Sequence, residues 1–195
     1  FMTIIKNDCA FKYLILANFF IMLIYAQFSS SLPQYFSRLN SFELVELFSY
    51  MVMFNGVIII IFQFPLLKLL SKYSTTIQIY FAILLLFLSQ VIFALANLND
   101  YYVWFIAVFF LTLSEIVLFS LLNVQIDDLA PEDSRGIYFG AANISTFGFA
   151  LAPLFGGLLL SYFDKTLLYL VTSILCIVVF LCYKKSILQN EWKKK

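Results

Sequence analysis

Histidine is absent from the 195 residues. Without imidazole, His-based proton relays, His-ligated metals and Ser-His catalytic pairs are excluded. Charge is scarce: 12% of the chain is Asp, Glu, Lys or Arg, where a soluble domain has about 25%. The net charge of +1 gives no sign of a nucleic-acid partner. Cysteine is sparse and odd in number. Cys9, Cys176 and Cys182 show no metal-ligand spacing, and the last two fall in an apolar run, where a free thiol acts as a small hydrophobe. No phosphate loop or metal cluster is present, so neither an enzyme nor a cofactor is expected. No signal-peptide pattern with a cleavage site follows Phe1-Met2, and the initial Phe suggests a sequence cut at its front.

Apolar residues are what the chain has: 63% is hydrophobic and 19% aromatic. A soluble domain of this size exposes too much of its surface to hide that much apolar area. Lipid must solvate most of it, which predicts an all-α membrane protein. A spanning helix needs about 20 apolar residues. Six such runs occur, at about 13–36, 44–67, 75–96, 101–126, 137–161 and 166–183. They are continuous, whereas barrel strands alternate over about 10 residues. The links are short, so no soluble domain fits between spans. Residues 184–195 read as a basic tail.

Basic residues set the expected orientation. Lys6, Lys12, Lys68, Lys72, Arg135, Lys184, Lys185, Lys193, Lys194 and Lys195 fall on one side, and Arg38 and Lys165 on the other. Both termini, and the tail with them, are therefore expected in the cytoplasm of a cell whose inner or plasma membrane holds the protein. Tyr101, Tyr102 and Trp104 open the fourth span, where amphipathic rings prefer the outer interface.

Polar residues are shared unevenly among the spans. Asn18, Met22, Tyr25 and Ser29 form one stripe of the first at 100° per residue. Thr112, Glu115, Phe119 and Asn123 do the same on the fourth. The second carries Asn55 and Gln63, and the fifth Asn143, Ser145 and Thr146, while the third and sixth offer mainly Ser89-Gln90 and Thr172-Ser173. Spans one, two, four and five thus read as lining a cavity, with Asn18, Tyr25, Ser29, Asn55, Thr112, Asn123, Asn143 and Thr146 as its candidate residues. The alternative is that these groups hydrogen-bond helices together, at about 0.6 kcal/mol each. Glu115 stands apart. It lies near the middle of its span, where a charge costs several kcal/mol, and no Lys or Arg shares its depth. It is either protonated much of the time or faces water or a cation, which makes it the candidate proton carrier. A structural acid bonded to a neighbouring Asn or backbone is the competing reading.

The link after the fourth span holds Asp127, Asp128, Pro131, Glu132, Asp133 and Arg135. Pro131 and the two acids suit the first turn of the fifth helix, with Asp128 or Ser134 as cap, and Arg135 is near enough to Asp127 or Asp128 to pair. Ala141, Ser145, Gly148, Ala152 and Gly156 make a small-residue stripe that permits close helix approach. Pro153 invites a kink, and Pro33 and Pro65 mark similar bends. Asp128, Arg135, Gly148, Pro153 and Gly156 are the candidate gating and hinge residues.

Asp128-Leu129-Ala130-Pro131, Arg135-Gly136 with Tyr138 and Gly140, and Gly148 through Pro153 to Gly156-Gly157 resemble the joint between the tenth and eleventh helices of the major facilitator superfamily. Ser114-Glu115 resembles the Gly-Glu of a bacterial drug-efflux branch, with Ser for Gly, and residues 27–35 resemble the start of the second half in that branch. The segment after Pro65 lacks the Gly and Asp of the family's basic loop motif. The resemblance covers nearly the whole chain but only the carboxyl half of a twelve-helix fold. It implies two inverted three-helix repeats, alternating access, and a cavity lined by the spans numbered one, two, four and five here. The expected function is proton-coupled antiport that exports small amphipathic compounds. The expected partners are the lipid bilayer, the small-molecule substrate, protons, and a missing amino-terminal half or a second copy. A sugar, metabolite or peptide carrier, or a truncated membrane protein that does not transport, are the alternatives.

Overall fold

The computed structural model describes residues 8–39 and 41–193. Lys6, Asn40, Lys194 and Lys195, which enter the expected topology, lie outside the described residues. The elements are α1 (Cys9–Arg38), α2 (Phe42–Leu70), α3 (Thr75–Leu95), α4 (Tyr101–Leu129), a 3-10 turn (Glu132–Ser134), α5 (Arg135–Ala142), a second 3-10 turn (Asn143–Thr146), α6 (Phe147–Tyr162) and α7 (Lys165–Lys193). Among the described residues six helical stretches are long and apolar enough to cross a membrane, the fifth running from Glu132 to Tyr162 through both 3-10 turns. A helix satisfies most of its backbone groups internally, which is what hydrocarbon demands; Pro33, Pro65 and Pro153 lie inside three of the spans and each lacks a backbone donor.

Several ends lie beyond the hydropathy limits, for local reasons. The first helix starts at Cys9 because Asp8 caps it, its Oδ1 accepting from the Phe11 amide at 3.0 Å. The last helix does not stop at 183 but continues through most of the expected tail. Ser186 is buried and donates to the Ala10 carbonyl at 2.7 Å, so residues beyond 183 are packed against α1. The fifth span has no side-chain cap from Asp128 or Ser134. The Ser134 amide instead bonds the Pro131 carbonyl at 2.9 Å, closing a 3-10 turn that takes the place of a capped start.

α3 lies along α4 and along α7, α1 along α7 and along α6, and α2 along α4. Exchanging spans one, two and three for four, five and six maps this contact pattern onto itself. Three crossings set α4 antiparallel to α1, so the exchange relates two inverted units. α3 and α7 meet through polar groups: Thr172 donates to Gln90 Oε1 at 2.8 Å, and Ser89, Gln90, Thr172 and Ser173 are all buried. Those residues face one another rather than lipid. α2 and the Glu132–Tyr162 span are the least covered.

At one end of the bundle Lys165 is 5% exposed. Its ammonium donates to the Phe93 and Ala94 carbonyls at 3.3 and 3.2 Å and lies 5.3 Å from the Trp104 ring centroid. It thereby closes the carboxyl end of α3, where carbonyls lack helical partners and a cation suits the dipole. Lys165→Met should leave those carbonyls orphaned at a cost of about 1–3 kcal/mol. A lower thermal-unfolding midpoint in detergent is expected, and an unchanged midpoint would remove the capping role.

Candidate functional site

Three helices bring their polar residues to Glu115. Tyr25 of α1 donates its hydroxyl to Glu115 Oε1 at 2.7 Å. Asn55 of α2 donates Nδ2 to Glu115 Oε2 at 2.9 Å and to Thr112 Oγ1 at 2.8 Å. Thr112 passes its own proton to the Val108 carbonyl one turn back, at 2.7 Å. Both carboxylate oxygens thus accept, and among the described residues no basic side chain pairs with Glu115. The local cause is helical spacing: Thr112 and Glu115 are three residues apart on one face of α4, and α2 packs along that face.

The cluster is half-buried. An open cavity of about 280 Å³ reaches Glu115, lined also by Ile59, Gln63, Ile116, Phe119 and Ser120. Aromatic rings border it. Tyr25 stands edge-to-face against Phe119, with centroids 5.2 Å apart, and Phe149 of α6 lies 6.5 Å from Tyr25. The arrangement offers one carboxylate, neutral donors and π faces within reach of water. Each oxygen accepts a single bond and keeps a further lone pair for a proton, and protonation removes the charge that strengthens the Tyr25 and Asn55 bonds.

Tyr25, Asn55, Thr112 and Glu115 are therefore brought together. Ser29, Asn123, Asn143 and Thr146 are exposed. Ser29 and Thr146 give their hydroxyls to backbone carbonyls of their own helices, and none of the four touches Glu115. Asn18 is bonded elsewhere, to α7. It is 2% exposed, and its Oδ1 accepts from the Tyr183 hydroxyl of α7. α1 crosses its neighbours, so the surface its stripe meets changes from α7 near Asn18 to α4 near Tyr25. The arithmetic of 100° per residue does not register this.

The hinge candidates also divide. Arg135 pairs with Asp127 at 3.1 Å, both about half exposed, a pair worth about 0–1 kcal/mol. Asp128 is exposed beside it. Pro153 is exposed within an unbroken helix. The interruption comes earlier, at 143–146, where Ser145 and Thr146 hydroxyls bond the Ala142 and Asn143 carbonyls at 2.7 and 2.6 Å. Such bonds to the residue three back favour the tighter 3-10 turn. Gly148 and Gly156 are contact points on α1. A Cβ at Gly148 would overlap the Phe19 carbonyl, and one at Gly156 the Ser31 and Gln27 side chains. Gln27, wholly buried, donates to the Leu23 carbonyl at 2.8 Å and accepts from Ser31. Beyond them Arg38 donates to the Leu160 carbonyl and to Ser161 Oγ, tying α1 to the last turn of α6.

Residues 2–147 match the Major Facilitator Superfamily. Three relatives are informative. YqjV, an uncharacterized MFS-type transporter of Bacillus subtilis (strain 168), is 27% identical over 140 residues, 71% of this chain and 34% of that protein. A Na(+), Li(+), K(+)/H(+) antiporter of Planococcus maritimus is 31% identical over 101 residues, 51% of this chain and 23% of the antiporter. YttB, an uncharacterized MFS-type transporter also of Bacillus subtilis (strain 168), is 25% identical over 170 residues, 85% of this chain and 42% of that protein. The matches thus cover less than half of each relative's length.

Proposed function

The chain belongs to the major facilitator superfamily and is an integral membrane protein of a family of transporters, and from that premise we propose that it serves as the carboxyl six-helix half of a proton-coupled exporter of small amphipathic compounds. The observation that carries this reading is Glu115: an acid at mid-span, open to a cavity, bonded to α1 and α2 and without a basic partner among the described residues. Intramembrane acids of this kind mark proton and substrate pathways. Loading a proton removes the charge and weakens the charge-assisted bonds from Tyr25 and Asn55. Protonation is thereby linked to the contact between α2 and α4, and alternating access supplies water from each side in turn. The ring-lined approach suits apolar substrates. The thinly covered faces of α2 and of the Glu132–Tyr162 span suit a second six-helix unit, either an amino-terminal half or another copy.

A second reading, exchange of an alkali cation for protons, draws on the Planococcus antiporter. Membrane vesicles holding the complete transporter separate the two. An imposed pH gradient should drive ethidium out, and a protonophore should abolish that movement. Gradient-driven sodium or potassium flux with no ethidium movement would favour cation exchange. No proton-driven flux of either kind would refute the proton-coupled account.

The proposed location is the plasma membrane, with both termini in the cytoplasm. A reporter fused after Lys195 should read cytoplasmic, and reporters at Asn40 or Asn99 external. Reversed signals would overturn this orientation.

A further inference from the structure

A second polar cavity lies at the other end of α4. Gln125 is ten residues beyond Glu115, about 15 Å along the axis, and points to a different side of the helix. The cavity has a volume of about 230 Å³ and sits between the start of α1, the start of α3, and the ends of α4 and α7. Gln125, only 7% exposed, lines it, and its amide oxygen has no hydrogen-bond partner among the described residues. Its amide nitrogen lies near the oxygen of Tyr183, whose own proton goes to Asn18 Oδ1. Leaving one amide unpaired in a protein interior costs about 1–3 kcal/mol, so this side chain has the character of a group awaiting a ligand.

The rest of the lining tells what kind. Asp128 supplies one carboxylate at the mouth, and among the described residues no Lys or Arg lines the cavity. Thr75, Thr76 and Asn190, all half-buried, bring polar side chains that form no bond among the described residues. Ser186 and Tyr183 are committed to the Ala10 carbonyl and to Asn18. The uncommitted hydroxyls and amides can each donate or accept, so the sign of the site is set by the one negative charge of Asp128, which disfavours an anion. The volume is several times the roughly 30 Å³ of one water and below the 300–1,000 Å³ of a drug-sized site. Three N–H donors on one nitrogen would match the Asp128 carboxylate, Gln125 Oε1 and a threonine hydroxyl.

We propose that this cavity binds a primary ammonium carried on a short polar scaffold, the chemistry of ethanolamine and of its phospholipid esters. A quaternary ammonium fits poorly, because it has no N–H to give and the lone aromatic lining residue, Tyr183, is buried behind its own hydrogen bond. Free amine and lipid headgroup share this chemistry, and the test separates them.

The intact protein in detergent is titrated with ethanolamine while its unfolding midpoint is followed, with choline and N-acetylethanolamine as matched controls. Saturable stabilisation by ethanolamine alone is expected. Asp128→Asn, a conservative change at an exposed position, should weaken binding about tenfold, and Gln125→Leu should abolish it. The same protein in phosphatidylethanolamine nanodiscs is then compared with phosphatidylcholine nanodiscs. Extra stability in the former that Gln125→Leu removes assigns the headgroup of a lipid, and equal stability beside a positive ethanolamine titration assigns a soluble amine. Either result supports the site. Absence of stabilisation by both probes, or equal response in Asp128→Asn and to choline, overturns it.

Discussion

In vesicles carrying the complete transporter, Glu115→Gln should reduce pH-driven substrate export to the level of empty vesicles while substrate binding persists. The amide keeps the size of the carboxyl. Its oxygen can accept from Tyr25, and its nitrogen can meet Asn55 once that side chain turns its own oxygen inward, so the contacts from α4 to α1 and α2 survive. What is lost is titration. A group that cannot take up a proton cannot change the charge of the site between its two faces, so proton binding and helix movement no longer share a step. Proton-driven export at matched expression is the readout. Wild-type export by Glu115→Gln would leave Glu115 a structural acid, and the coupling group would have to lie elsewhere in the transporter.

The second large effect is on stability. Gly148→Ala should strongly lower the unfolding midpoint, whereas Gly140→Ala should not. A Cβ at Gly148 would meet the backbone carbonyl of Phe19 and the backbone of Leu23, which no side-chain rotation can relieve. Overpacking costs about 1–3 kcal/mol even where side chains can adjust, and a whole helix would have to move here. Nothing lies within 4 Å of a Cβ at Gly140, so there alanine simply favours the helix by about 1 kcal/mol over glycine. Thermal unfolding of the two variants in one detergent decides the matter. Equal midpoints would mean that the α1 contact yields freely at Gly148.

Hydropathy made the six spans readable because lipid imposes a length on each one. The stripe on α4 was readable too, since Thr112 and Glu115 depend only on the geometry of one helix. Assigning a partner to each polar group was harder. Asn18 and Tyr25 share a stripe, yet one is locked to α7 and the other to α4, because helices cross at angles that sequence spacing does not encode. Lys165 looked like an outer-loop cation, but it folds back over the end of α3. Gln125 gave no signal at all, since its orphaned amide exists only once four helices enclose it. In the fifth span the helix is continuous through Pro153, and the 3-10 interruption falls at 143–146, where the hydroxyls of Ser145 and Thr146 bond backbone carbonyls.

The proton on Glu115 can be observed without knowing the substrate. Infrared difference spectra of the membrane-embedded protein, recorded between acid and alkaline media, report carboxyl groups that gain a proton. On this account the wild-type spectrum contains a protonated-carboxyl band from Glu115, and Glu115→Gln removes that band alone. A spectrum unchanged by the substitution would contradict the assignment of Glu115 as the residue that loads and releases the proton.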